Sequence, residues 1–228
     1  MPLPLCCEVR VFSRRYRFAG TLDVLGRFRD SGAGGVLLDY KTGRPEDVAA
    51  DLQTAAYYGA LLEMRENGDT PEALTFDELT HTYRLADVRL PSVTQILQRA
   101  GLIDFSKIPG PILLAARDRG AAVHRAIHYL NEGDLDPAFQ FEFPDYWPYV
   151  EAWLAFVEAT GFRCATFADI PELTHVERFA VQLRKDRRYV LEPYRTPSDY
   201  REFLDLRRAQ QLVDARRPNA WRAVIEAA

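Results

Sequence analysis

Hydrophobic positions recur along this chain with two different periods, and the two periods mark out strands and helices. Glu8-Val-Arg-Val-Phe12 alternates polar and apolar residues, and so does the stretch from Tyr16 to Asp23. A period of two predicts a pair of strands. Val36-Leu-Leu38 is a continuous apolar run, led in by Gly32, Gly34 and Gly35 and ended by Gly43 and Pro45, which predicts a short buried strand. On that strand Asp39 and Lys41 share one face while Leu38 and Tyr40 take the other. A hairpin through Ser31 to Gly35 would bring Asp23 beside Asp39.

Helical spacing takes over from Glu46 to Glu63, where Gln53 and Tyr57 stand one above the other at i and i+4. Asn67 to Pro71 is a break. Thr80–Leu85 and Val88–Leu90 predict a hairpin turning at Ala86-Asp87, and Ser92 is the N-cap of a helix that runs to Gly101. Pro111 to Asn131 predicts a long helix with Ile112, Ala116, Val123, Ile127 and Leu130 on its apolar face, and Gly120 allowing close approach to the sheet. A further amphipathic helix spans Tyr146 to Glu158, opened by Asp145 and closed by Gly161. Val176–Leu183 and Tyr189–Glu192 predict a second hairpin, followed by arginine-bearing helices from Ser198 to Ala215 and from Asn219 to Ala228. The tetrapeptide Glu-Leu-Thr-His occurs twice, at Glu78 and at Glu172, too short a match to be a repeat.

Two converging carboxylates, Asp23 and Asp39, make a site for a hard cation such as magnesium, which takes one or two protein carboxylates plus waters and phosphate. Lys41 beside that ion would orient water or neutralise charge developing on a phosphate oxygen. The alternative is an Asp39–Lys41 ion pair at a strand end, with Asp23 a turn aspartate. His124 and His128 lie one helical turn apart, but Arg125 stands where His-Glu-x-x-His needs its glutamate, so a zinc peptidase is disfavoured. Phe139, Phe141, Phe143, Trp147 and Trp153 read as core, with a base-stacking surface as the alternative.

Taken together, Gly20-x-x-Asp23, Asp39-Tyr-Lys-Thr-Gly43, Gln53-x-x-x-Tyr57 and Arg119-Gly-x-x-x-His124 resemble the motifs of the PD-(D/E)XK nuclease superfamily, in its RecB-type exonuclease branch. The resemblance implies an α/β fold with a restriction-endonuclease-like core, a short mixed sheet flanked by helices. It implies Mg2+ or Mn2+ held by Asp23, Asp39, His124 and the Tyr40 carbonyl, with Lys41 catalytic and Glu8 where the family often carries a strand glutamate. Gln53 and Tyr57 would contact the DNA strand, and a helicase or recombinase is the kind of partner such enzymes have. The motif order is rearranged, because the family's histidine helix precedes its Gly-x-x-Asp strand. Within one domain over 1–228, residues 1–66 resemble the catalytic middle, 76–164 the usual amino-terminal half, and 165–228 the tail. If the parts keep the family's arrangement, His124 lies near both aspartates, Cys164 near Leu3, and Glu66 near Val176. A domain-swapped dimer or other homo-oligomer would satisfy the same contacts. Two competing readings are a nuclease fold that binds DNA or assembles without cutting, and a metal-dependent hydrolase of another substrate.

Composition narrows this little. The chain has 228 residues, 47% hydrophobic and 27% charged, an ordinary globular balance. No apolar run is long enough for a membrane span, and Met1-Pro-Leu-Pro-Leu-Cys-Cys-Glu lacks a basic signal region. Three cysteines, an odd number, argue against a disulfide framework and for the reducing cytoplasm. Cys6, Cys7 and Cys164 cannot supply the four thiolates of an iron–sulfur cage, so no such cluster is expected and the three read as core thiols. A net charge of −4 opposes a broad DNA-coating surface but allows a local basic groove plus a metal ion.

Overall fold

The computed structural model describes residues 6–30, 34–43, 48–166, 169–170, 172–194 and 198–216, with the side chains of 172–175 excepted. Leu3, Ser31, Gly32, Pro45, Glu46 and the helix expected from Asn219 lie outside them. The fold is α/β, a mixed sheet with helices on both faces. Strands β1 (Cys7–Ser13), β2 (Phe18–Arg27) and β3 (Gly34–Lys41) run antiparallel in sequence, β8 (Glu172–Leu183) pairs parallel to β3, and β9 (Tyr189–Tyr194) closes the far edge. The two-residue strand β7 (Arg163–Cys164) pairs with the end of β2.

The central strands are buried because they are covered on both sides. Val36, Leu37 and Leu38 have no exposed surface, as a continuous apolar run beside a parallel pair requires. Helix α1 (Val48–Asn67) lies on one face with Leu52, Ala56 and Leu61 against Leu22, Leu25 and Leu37. Helices α2 (Val93–Arg99) and α6 (Asp199–Arg216) pack outside it. The other face carries α3 (Gly110–Glu132) and α5 (Trp147–Thr160), whose Val123, Ile127, Trp153 and Phe156 meet Val24, Val36, Leu38 and Tyr40. A one-turn helix α4 (Phe139–Glu142) joins these two.

Between α1 and α2 stands a separate three-stranded sheet: β4 (Leu74–Asp77), β5 (Thr82–Leu85) and β6 (Val88–Leu90). The expected hairpin at Ala86-Asp87 is its second half. It docks on the rim of the main sheet through Arg10 Nη1, which donates to the Leu74 carbonyl at 3.0 Å, and a 2.8 Å hydroxyl pair between Thr21 and Tyr83. Ser92 caps α2 as its sequence predicts, in a reciprocal capping box with Gln95 in which both hydrogen bonds measure 3.1 Å.

Some expectations need correction. Asp145 does not cap α5; Tyr146 holds that place without a side-chain bond, although Gly161 ends the helix in the left-handed region as expected. The first half of α3 projects away from the sheet, leaving Ile112 61% exposed. Gly120 approaches nothing, since a Cβ there would meet no atom within 4 Å. Close approach does require glycine at Gly20, among other positions: a Cβ there would fall 2.3 Å from the Tyr57 ring. Gly20 therefore lets α1 settle on β2.

A buried ion network locks β8 to α1 and α6. The Arg178 guanidinium donates to the Asp51 carboxylate at 3.0 Å and to its carbonyl at 2.9 Å, and to the Asp199 carboxylate at 2.9 Å. Burial and the neighbouring Asp199 carboxyl push Asp51 up to about 6, against the pull of Arg178. Removing one partner leaves the others buried and uncompensated, so Arg178→Ala should destabilise the fold by about 3–5 kcal/mol. Urea unfolding followed by circular dichroism measures this.

Candidate functional site

The antiparallel ladder between β2 and β3 ends at Val24 and Leu38, one step short of Asp23 and Asp39. The next backbone donor, the Tyr40 N–H, goes to the Asp23 carboxylate instead, at 2.7 Å. Both aspartates thus stand where the β2–β3 ladder ends, while β3 goes on pairing with β8 as far as Lys41 and Gln182. Asp39 is almost fully buried, and Lys41 Nζ lies 2.7 Å from its Oδ2, so the shared strand face becomes an ion pair. Across the edge of the sheet, α3 brings His124 Nδ1 to 3.7 Å from Asp23 Oδ1. The His124 ring meets the Tyr40 ring edge-on at 5.2 Å, and Tyr40 in turn packs on Trp153.

Asp23 is buried among these groups and its carboxyl is raised to about 6, mainly by burial and further by Asp39, while His124 and Lys41 oppose the rise. A carboxylate in such a place has more to gain from a divalent cation than an exposed one. Asp23 and His124 donors 3.7 Å apart suit two ligands of one ion with legs near 2.1 Å, whose outer limit is about 4.2 Å. Asp39 is directed at Lys41, and the three groups do not converge within 4.8 Å of one another; among the described residues only three cysteines do so. The oxygen and nitrogen donors fit a hard cation, but the set is assembled rather than closed.

Asp23 and His124 line a cleft of 540 Å3 between α3, the rim of β1 and β2, and the small sheet, while Asp39, Tyr40 and Lys41 stand behind its lining. Gln53 and Tyr57 lie in its wall, where Gln53 Nε2 donates to the Tyr57 hydroxyl at 2.6 Å. Tyr57 is buried, its ring resting over Gly20, so only its polar end addresses the cleft. Glu8 also borders the cleft, with an exposed side chain and a φ of +51°, a left-handed backbone rare for any residue but glycine. Sequence reasoning missed Arg10, Glu78, His81 and Thr94, which complete the lining. Arg117, Arg125 and His128 extend the cleft along α3 past His124. The first Glu-Leu-Thr-His tetrapeptide is what places Glu78 and His81 there, a signal visible in the sequence without a partner to interpret it.

Leu3 lies outside the described residues, so its expected approach to Cys164 is not seen directly, and two neighbouring contacts are. Cys164 Sγ lies 3.9 Å from Cys7 Sγ, which puts the end of the 76–164 segment against the start of β1. Arg65, at the end of α1, donates to the Ile170 carbonyl at 2.5 Å, just ahead of β8. The contacts form within one chain. Comparisons with protein-family models, with curated proteins and with solved structures return no match. Among the described residues, no helix is long and apolar enough to cross a membrane.

The raised Asp23 carboxyl has a definite pH signature. Between pH 3.8 and about 6 the folded protein keeps a proton there that the unfolded chain releases, so stability falls as pH rises through that window. The loss is at most about 3 kcal/mol. In metal-free protein, Asp23→Asn should therefore be more stable than the parent above pH 6 and similar to it near pH 4. Thermal unfolding of both proteins across that range reads the difference.

Proposed function

We propose that this chain is a metal-dependent nuclease that hydrolyses phosphodiester bonds in DNA, with a restriction-endonuclease-like core of the RecB exonuclease type in rearranged order. The observation that carries the reading is the approach of His124 to Asp23 at 3.7 Å, beside the Asp39–Lys41 pair, from a helix far along the chain.

In this reading Asp23, Asp39, His124 and the Tyr40 carbonyl hold Mg2+ or Mn2+, which supplies Lewis-acid polarisation of the phosphate and a more acidic water. Lys41 keeps its ammonium beside Asp39 and stabilises charge building on the phosphate oxygens. Tyr40 fixes Asp23 through its N–H and orients His124 through its ring. Gln53, held by the Tyr57 hydroxyl, presents its amide to the DNA strand, and Glu8 faces the same cleft as a further carboxylate. Arg10, Arg117 and Arg125 offer cations to the phosphate backbone within a lining that also carries Glu8, Asp23 and Glu78. The cytoplasm is the compartment this activity and the free thiols suit, and a helicase or recombinase is the proposed class of partner.

Incubation with linear duplex and single-stranded DNA, with Mg2+, Mn2+ or EDTA, tests the reading. Metal-dependent degradation supports it, and retention of DNA without cleavage would replace it with a binding module. Asp39→Ala and Lys41→Ala should each abolish cleavage; because Lys41→Ala leaves the buried Asp39 carboxylate without its counter-charge, circular dichroism confirms that each variant is folded before its cleavage is read. Either variant cutting at the parental rate would overturn the assignment. His124→Ala should raise the Mg2+ concentration needed for half-maximal cleavage by about tenfold or more. A titration that does not move would return His124 to a packing role.

A further inference from the structure

The three cysteines, dispersed in sequence, converge in space. Cys6 and Cys7 Sγ atoms lie 3.7 Å apart, Cys7 and Cys164 Sγ atoms 3.9 Å, and all three sulfurs fall within 4.8 Å of one another. No disulfide joins them. We propose that Cys6, Cys7 and Cys164 bind a thiophilic metal ion, Zn2+ by chemical class, beside the cleft whose lining Cys7 shares with Asp23 and His124, on grounds independent of the nuclease reading.

Geometry carries this first. A tetrahedral ion with Zn–S bonds near 2.3 Å sets its sulfurs on edges of about 3.8 Å. The observed 3.7 and 3.9 Å bracket that edge. In an iron–sulfur cubane each thiolate sits on a different iron, which splays the sulfurs further apart and calls for a fourth cysteine. Three protein thiolates leave one coordination position for water, so the ion is exchangeable.

The backbone is arranged to make the cluster. Val9 and Val11 face α1, and a regular strand would turn Cys7 the same way. The left-handed φ of Glu8 reverses the alternation, and Cys7 enters the opposite layer with Val24 and Trp153. Such a conformation is rare for a residue with a side chain and persists where the surroundings hold it in place. β7 exists only to pair Arg163 and Cys164 with the end of β2, which delivers the third thiol.

A polar contact reaches the cluster from α3. Asn131 Nδ2 donates to Cys7 Sγ at 3.4 Å, and its Oδ1 is fixed by the Trp153 Nε1–H at 3.1 Å, so the amide hydrogens point at the thiol. Such outer partners orient and tune metal ligands. His128 lies within electrostatic reach of Cys6, and its Nδ1 is buried without a hydrogen-bond partner among the described residues.

Titration of the reduced full-length chain with Co2+, as a spectroscopic stand-in for zinc, tests the site. One equivalent should give sulfur-to-cobalt charge transfer and the intense visible bands of a tetrahedral ion, and Zn2+ should bleach them. Cys7→Ser and Cys164→Ser should each weaken the tetrahedral, sulfur-ligated Co2+ signal at least about tenfold. Should either serine variant fail to fold, the wild-type chain gives the same answer. One equivalent of Zn2+ should slow the reaction of its thiols with Ellman's reagent and raise its Tm, and a chelator should reverse both. Weak, octahedral Co2+ absorption, thiols that react at full rate with Zn2+ present, or a disulfide in the protein as isolated would each overturn the proposal.

Discussion

A parallel strand pair cannot be left bare, and the pairing of β3 with β8 imposes most of the remaining architecture. Its backbone is satisfied by neighbours on both edges, so both faces of an apolar strand must be covered by helices. α1 covers one side and α3 with α5 the other. Asp39 and Lys41 then have one place to go, the end of β3 where the ladder stops and the helices part. The polar site follows from the apolar strand: its charges lie where burial ends.

The same constraint explains why Asp23 is costly. It sits one residue beyond the last β2–β3 pair, close enough to the core to be desolvated, and gives one oxygen to the Tyr40 N–H that the sheet no longer satisfies. Its other oxygen faces His124. Each of these contacts is local to a strand end, yet His124 arrives from a helix whose position is fixed by Val123 and Ile127 packing on Leu38 and Tyr40. Apolar contacts on either side of His124 thus decide the polar geometry.

Much of this was legible in sequence where a local rule was at work. The alternation in β1 and β2, the apolar run of β3 and the Ser92–Gln95 cap each act over a few residues, and each held. The placement of Asp23 beside Asp39 followed from the hairpin alone. What escaped depends on tertiary placement. Helical periodicity put Ile112 and Val123 on one face, but the sheet reaches only the second half of α3, so Ile112 is exposed. Gly20 looked like a motif letter, and its reason appears only when Tyr57 lies over it. The thiol cluster was hidden because a left-handed Glu8 has no sequence signature and Cys164 lies at the other end of a long excursion.

That excursion has a consequence for synthesis. α1 and β8 meet at Arg65 and Ile170, while everything between them forms the small sheet, α2, α3 and α5. A chain growing from its amino terminus releases β1, β2, β3 and α1 first, with Asp23, Asp39 and Lys41 already in place along them. At that stage β3 has an open edge, α1 has no outer layer, and His124 has yet to be translated. Domains close cooperatively, and long-range parallel pairing is slow to form. The carboxylates reach their final surroundings only after β8 emerges, so the nascent chain carries the acidic half of its centre before the histidine half.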